Sequence, residues 1–483
     1  MNIRMILKSL GIVIIVEAIC MIPSLIVSIV YGDNGTFAFV YSIIICLVTG
    51  LAMYRIKADN KNFYARDGFS FVALSWVTVS VFGSLPYIFS SSITSFIDAV
   101  FETVSGFTTT GATILKQVER LPESILFWRS FTTWMGGMGV LVLTLAVLPT
   151  VGAGFFHVLK AESTGPNIEK LVPKLGQTAK ILYSIYIVIT AILVSALLIA
   201  GMPLYDALVH AFGTTGTGGF SSRNSSIAAY GNIYIEVIIT VFMFLSGVNF
   251  SLYYQLLKGN FKGFYKNQEF KFYVSTVLIA ILLITLDLNA QGFFSLGESI
   301  RYSSFQVSSI ITTTGFSTTD FNLWPTFSKI ILILLMFIGG SAGSTSGGIK
   351  CIRFVLLFKI IKRDILNIIH PKAVHTIKID GKTVNEDTLA HTMSFFFIYF
   401  AVFALSSLFI SLDGNDLVTS ATSVVATLSN IGPGFGNVGP MGNFSSFSWF
   451  SKTLLSFCMI AGRLEILPML ILFSSYSFKK AGI

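Results

Sequence analysis

The chain has 483 residues, of which 53% are hydrophobic and only 11% charged, a composition that excludes an ordinary soluble domain and leaves room for about ten membrane spans. Its formal net charge of +9 raises the question of nucleic acid, but the basic residues fall in clusters between apolar runs, where they act as topological signals. Cys20, Cys46, Cys351 and Cys458 have no CxxC spacing and lie mostly within apolar runs, so they are read as reduced packing residues with neither a disulfide framework nor a metal site.

Two apolar spans, near 11–31 and 37–54, open the chain. Arg4 and Lys8 before the first imitate a secretory signal, yet the run continues without a small-residue cleavage pattern and reads as a retained span. Glu17 within it is polar for its place and is expected at a helix interface. The rest of the chain repeats one order four times: outer span, short apolar helix, glycine loop, inner segment. The outer spans lie near 69–90, 179–201, 271–289 and 389–411. The short helices begin near Asp98 and Tyr205, cover about 299–311 in the third copy, and recur before the fourth loop. The inner segments lie near 125–149, 232–257, 326–362 and 448–477. The division expected is therefore 1–66 for the two N-terminal helices and 67–160, 161–265, 266–385 and 386–483 for the four repeats.

The loops carry Thr109-Thr110-Gly111, Thr217-Gly218-Gly219, Thr313-Thr314-Gly315 and Asn430-Ile431-Gly432, with glycines 108, 96 and 117 residues apart. Each follows a run too short to span a bilayer. Non-helical backbone at membrane depth is tolerated only where it is buried in protein or lines an aqueous cavity, so four such stretches imply a pore. Glycine permits the φ values that turn backbone carbonyls inward, and rings of carbonyls replace the hydration shell of a potassium ion. The threonines add hydroxyl oxygens without fixed charge. No carboxylate occupies these positions, which argues against a divalent-cation site. Nine residues before each glycine stands Glu102, His210, Gln306 or Ser423, a polar column placed to support the loops from behind.

Of the 32 lysines and arginines, 24 fall on the face bearing the termini, and Lys116, Arg120, Arg129, Arg223, Arg301, Lys329 and Lys452 fall on the loop face. By the positive-inside rule both termini are cytoplasmic and the loops face outward. A nucleic-acid partner thereby loses its main support. On the cytoplasmic side, alternation around Asp380-Gly381 between Ile377 and Val384 reads as a small β-hairpin, either a solvated connector or a docking site.

Two features suit a gate. The third inner segment runs about 37 residues and is interrupted by Gly339-Gly340-Ser341-Ala342-Gly343-Ser344-Thr345-Ser346-Gly347-Gly348, a helix-breaking stretch expected to border the pore and move. Arg463, about fifteen residues into the last span, would place a fixed positive charge near mid-membrane, at a cost of roughly 2.5–3.5 kcal/mol on translocon scales. It is read as a pore-facing barrier to cations. Five scattered histidines supply no catalytic cluster, and Gly213-Thr-Thr-Gly-Thr-Gly-Gly lacks the lysine of a phosphate loop, so an enzyme is not expected.

The four loops, the two extra N-terminal spans, and the endings Ser429-Asn430-Ile431-Gly432-Pro433-Gly434 and Gly462-Arg463-Leu464-Glu465 resemble the Trk/Ktr/HKT superfamily of potassium transporters, and the bacterial TrkH branch in particular. The resemblance covers essentially the whole chain. It implies an all-α integral membrane protein with four pseudo-symmetric helix, pore-helix, helix repeats around a central pore, in a bacterial cytoplasmic membrane. It implies channel-like potassium uptake, with rubidium also permeating, by a lipid-embedded homodimer regulated by a cytoplasmic nucleotide-binding ring of the TrkA type. No cofactor is expected in this chain, potassium being the transported substrate held at the loop residues. Gly111 in the first loop goes with potassium in that family, whereas Asn430 and Pro433 depart from the hydroxyl-rich pattern. Symport of potassium with protons or sodium stays as the alternative; it would need a titratable group near midplane, for which Glu17, Glu102 and His210 are the candidates.

Overall fold

The structure is a computed structural model that describes residues 2–57, 65–139, 175–466 and 468–470. Among the described residues almost every element is helical, and the segments long and apolar enough to cross a membrane without a sharp bend are Ile3–Tyr31, Thr36–Tyr54, Asp67–Phe89, Gln177–Ile199, Gln268–Ala290 and Glu386–Asp413. These are the two N-terminal spans and the four outer helices, as the hydropathy pattern predicts. The first span is interrupted at Met21, and Pro23 stands in the first turn of its continuation Ile22–Tyr31. It packs against the next span through Gly11 and Gly50 so closely that a Cβ at Gly11 would lie 2.6 Å from the Gly50 carbonyl oxygen. Glu17 lies in such an interface, with Oε1 2.8 Å from where a Cβ at Gly83 would stand.

The short helices Phe96–Phe107, Leu204–Gly216, Leu296–Ile311 and Leu417–Leu428 each precede a glycine loop. Their N-termini start from recognisable signals: Ser95, Ser295 and Asp416 cap three of them with side-chain oxygens, and Ser295 with Glu298 forms a reciprocal capping box. Pro203 precedes the other.

The inner segments differ from expectation, and the difference is systematic. None of the four is one straight span. The first helix, Glu123–Gly137, stops at Gly137, and the remainder of the expected 125–149 span lies outside the described residues from 140 onward. The second bends by 92° between Ile233–Ser246 and Phe250–Leu257. The third breaks between Thr326–Ile338 and Cys351–Ile369. The fourth, Trp449–Arg463, ends at Arg463, after which Glu465 and Ile466 take positive φ values of 59° and 64°. A β-branched residue in that region is strained, so the helix cannot continue there. Sequence reading found only the third break.

The cytoplasmic hairpin is present as Lys378–Ile379 paired with Lys382–Thr383, with Asp380 and Gly381 at φ 48° and 82° in the turn. Cys20, Cys46, Cys351 and Cys458 are free thiols. Lys350 and Arg353, counted with the cytoplasmic cations, are instead buried beside the interrupted third inner segment.

Candidate ion-conduction site

Each short helix ends in the same backbone motif. The residue two before the loop glycine has left-handed φ: 57° at Thr109, 56° at Thr217, 56° at Thr313 and 57° at Asn430. Its N–H reaches back to Gly106, Thr214, Ile310 or Thr427, and the next N–H reaches to Ser105, Gly213, Ser309 or Ala426. These paired bonds are a Schellman-type helix ending, which normally uses glycine at the left-handed position and accepts asparagine next best. Threonine there costs about 1–2 kcal/mol per residue. Such strain persists only where surrounding contacts over-determine it, which is typical of functional sites.

The four turns close into a ring in the order first, second, third, fourth, first. A Cβ added at Gly111 would lie 2.7 Å from Gly219 N; at Gly219, 2.7 Å from Thr314 O; at Gly315, 2.1 Å from Ile431 O; and at Gly432, 2.6 Å from Thr110 O. Glycine is therefore required by space as well as by φ. Gly219 makes the point, because it alone of the four has no positive φ and yet has no room for a side chain. The carbonyls of Thr110, Thr314 and Ile431, each preceding its glycine, stand against the neighbouring quarter. The C-terminal ends of all four short helices converge here, bringing partial negative charge without a carboxylate.

Residues that follow the glycines line a cavity of about 340 Å³, reached by Gly111, Gly219, Gly315 and Gly432 together. The polar column braces two quarters as expected. Glu102 accepts from Thr113 Oγ1 at 2.9 Å and Ile114 N at 3.0 Å, and His210 Nε2 is hydrogen-bonded with Ser221 Oγ at 2.8 Å. In the third quarter Ser309, three residues on from Gln306, supplies the bond, donating to Phe316 O at 2.6 Å. In the fourth, Ser423 turns back to Ser420 O and Thr422 accepts from Phe435 N at 2.9 Å.

Two side chains join quarters by contacts that the sequence did not signal. Arg129, counted as an outward-face cation, is buried; its Nε lies 2.6 Å from Glu102, an Nη donates to Ser221 O at 3.2 Å, and its guanidinium stacks 3.6 Å over Phe220. It ties the first loop to the second, and the spacing from Glu102 gave no signal because the two lie on different helices. Asn430 donates to Thr110 Oγ1 at 3.0 Å and Met459 O at 2.8 Å. The departure of the fourth loop from threonine thus has a structural reason, a left-handed position with a bridging amide.

On the other side of the ring, Thr109, Thr313 and Asn430 meet the interrupted third inner segment or Arg463. Gly347 N donates to Thr313 Oγ1 at 2.7 Å. The same segment meets the bend of the second inner helix, through Ser341 N to Gly247 O at 2.9 Å and Phe250 N to Gly343 O at 3.0 Å. Arg463 donates to Thr345 O at 2.7 Å, to Gly136 O and Gly137 O at 2.6 and 2.7 Å, and to Thr109 Oγ1 at 3.3 Å. It lies in the last turn of its own helix and at the open C-terminal carbonyls of the first inner helix, where a cation is favoured. The structure therefore brings Gly339–Gly348, Arg463 and the first and third loops together. Glu465, two residues on, pairs with Arg353.

A family model described as a cation transport protein, TrkH, matches residues 35–480. The Trk system potassium uptake protein TrkH of Salmonella typhimurium is 38% identical over 98% of this chain and 99% of its own length. TrkG, a Trk system potassium uptake protein of Escherichia coli, is 35% identical over 99% of each. The crystal structure of the potassium transporter TrkH from Vibrio parahaemolyticus superposes with a TM-score of 0.89, covering 99% of this chain and 100% of that one at 33% identity. With the match running almost end to end and including every loop of the ring, the chain belongs to the TrkH family of cation transport proteins.

Proposed function

We propose that this chain takes up potassium across the bacterial cytoplasmic membrane by letting it pass, channel-like, through the ring of four loops. The observation that carries this reading is the ring itself: four left-handed turns whose glycines leave space for the next quarter's carbonyls, with no carboxylate among them. Carbonyls and the hydroxyls of Thr109, Thr110, Thr217, Thr313 and Thr314 replace water around a monovalent cation, with Gly218, Asn430 and Ile431 completing the loops. The names of the relatives, potassium uptake proteins, supply the ion.

The segment Gly339–Gly348 and Arg463 form the gate. Arg463 holds the segment beneath the first and third loops and places a fixed positive charge in the ion's path; opening requires these bonds to exchange. The loops face outward and both termini are cytoplasmic, each quarter being one pore repeat with the boundaries given above. The protein works as a homodimer controlled by a cytoplasmic nucleotide-binding ring of the TrkA type.

Flux competition in liposomes tests the reading. Potassium and rubidium are expected to permeate and compete, with sodium and lithium excluded; equal permeation by all four sinks the selective ring. Reversal potentials that follow a pH or sodium gradient would favour symport instead.

A further inference from the structure

The interrupted third inner segment is held at a third place, remote from the ring. A single carboxylate oxygen, Oε1 of Glu269, accepts from Ala342 N at 2.6 Å and from Ile352 N at 3.0 Å. Ala342 lies inside the segment and Ile352 in the first turn of the helix that follows it, so one atom pins both. That helix, Cys351–Ile369, begins after Lys350 at φ 75° and has no side-chain cap of its own. Glu269, which is buried, supplies the missing acceptor and a negative charge at the helix N-terminus from a different helix.

Glu269 is the second residue of the third outer helix, Gln268–Ala290, and the start of that helix is held from the cytoplasm. Asn267 caps it, accepting from Phe270 N at 2.8 Å. The hairpin residue Asp380 accepts from Asn267 Nδ2 and from Gln268 N, both at 2.9 Å. Lys359 completes the clamp, donating to Gln268 Oε1 and to the hairpin carbonyl of Lys378. The hairpin's grip falls on Asn267 and Gln268, the two residues immediately before the carboxylate that pins the segment.

We infer that Glu269 is a positioning residue for the intramembrane segment and that the hairpin, through Asp380, sets its position, so a load on the hairpin from the cytoplasm moves the segment. This rests on the reading of that segment as the gate, but the tether can be read without flux. In the full-length protein in lipid nanodiscs, hydrogen exchange of peptides covering 339–353 reports the pinned amides. Glu269→Ala is expected to speed their exchange roughly tenfold or more, because the part-buried Ala342 amide and the buried Ile352 amide both lose their acceptor. Glu269→Gln keeps an acceptor oxygen and is expected to stay near the unmodified protein. Asp380→Ala, at the exposed turn, is expected to speed exchange of the same peptides by a smaller factor, and adding it to Glu269→Ala is expected to add nothing.

Unchanged exchange in Glu269→Ala, or in Glu269→Gln a rise as large as in the alanine variant, overturns the positioning role. Asp380→Ala that frees the hairpin peptides and leaves 339–353 unaltered overturns the coupling. Should Glu269→Ala not fold, Asp380→Ala decides alone. Flux is read in parallel: faster exchange with unaltered resting flux leaves the tether standing and removes the gate reading.

Discussion

Replacing Arg463 with alanine removes one positive charge and the hydrogen bonds to Thr345, Gly136, Gly137 and Thr109 at once, and the two consequences separate. An ion coordinated by the Thr109 hydroxyl, itself 3.3 Å from the guanidinium, sits about 6 Å from the charge. At an effective dielectric constant near 20 the repulsion is about 3 kcal/mol, and water in the pore brings it toward about 1 kcal/mol. Removing it is expected to raise rubidium influx into proteoliposomes by roughly 5- to 100-fold. Arg463→Lys keeps the charge and cannot reproduce a planar fork spanning Thr345, Gly136 and Gly137. If charge dominates, the lysine variant stays as slow as the unmodified protein; if the fork's tether dominates, it leaks like alanine. Unchanged or lower influx in a folded Arg463→Ala protein refutes both.

The remaining expectations follow from the same geometry. Deleting Gly340–Gly347 is expected to raise the resting flux, because the segment's bonds to Gly247, Thr313 and Arg463 are lost; an unaltered open probability in single-channel recording counts against gating. Gly315→Ala forces a Cβ to within 2.1 Å of Ile431 O at φ 84°, so overpacking of about 1–3 kcal/mol and backbone strain of about 1–2 kcal/mol combine, and selective potassium flux is expected to collapse. Arg129→Ala leaves Glu102 buried and unneutralised and is expected to lower stability by about 3–5 kcal/mol in detergent unfolding, whereas a loss under about 1 kcal/mol would show the pair to be dispensable. Asp33, in the turn after the first span, is partly buried, which alone would raise its pKa, but hydrogen bonds from Ser28, Ser124 and Gly35 hold it below the usual carboxylate range. Its folded pKa being depressed, its contribution to stability is present above about pH 4 and lost as pH falls through the folded value. The melting-temperature gap between the unmodified protein and Asp33→Asn should accordingly close on acidification.

What the sequence disclosed was set by how strongly each feature departs from ordinary helix. Long apolar runs gave the outer helices, and Thr-Thr-Gly after a short apolar run gave the loops, because few other structures tolerate that pattern at membrane depth. The third inner break was legible from ten consecutive small residues. The other three were not, since Gly136-Gly137, Gly247-Val248-Asn249 and Gly462-Arg463 are brief interruptions of apolar segments, and a single glycine is common in membrane helices. What breaks those helices is tertiary. A Cβ at Gly136 would lie 1.8 Å from Phe107 O and one at Gly462 2.0 Å from Leu428 O, each the last carbonyl of its own quarter's short helix. Arg463, read as a charge near mid-membrane, stands at the end of a helix, and its buried charge is solvated by open carbonyls. Asn430 read as a weakness of the fourth loop, yet it occupies the left-handed position with less strain than threonine does in the other three.

The central claim is that the four loops form one cation site, and the position of a bound heavy analogue of potassium reads it directly. Crystals grown in rubidium should show anomalous density on the axis of the ring, within coordination distance of the carbonyls of Thr110, Thr314 and Ile431 and level with Gly219. Density confined to other parts of the protein, with none at the ring under saturating rubidium, would contradict it.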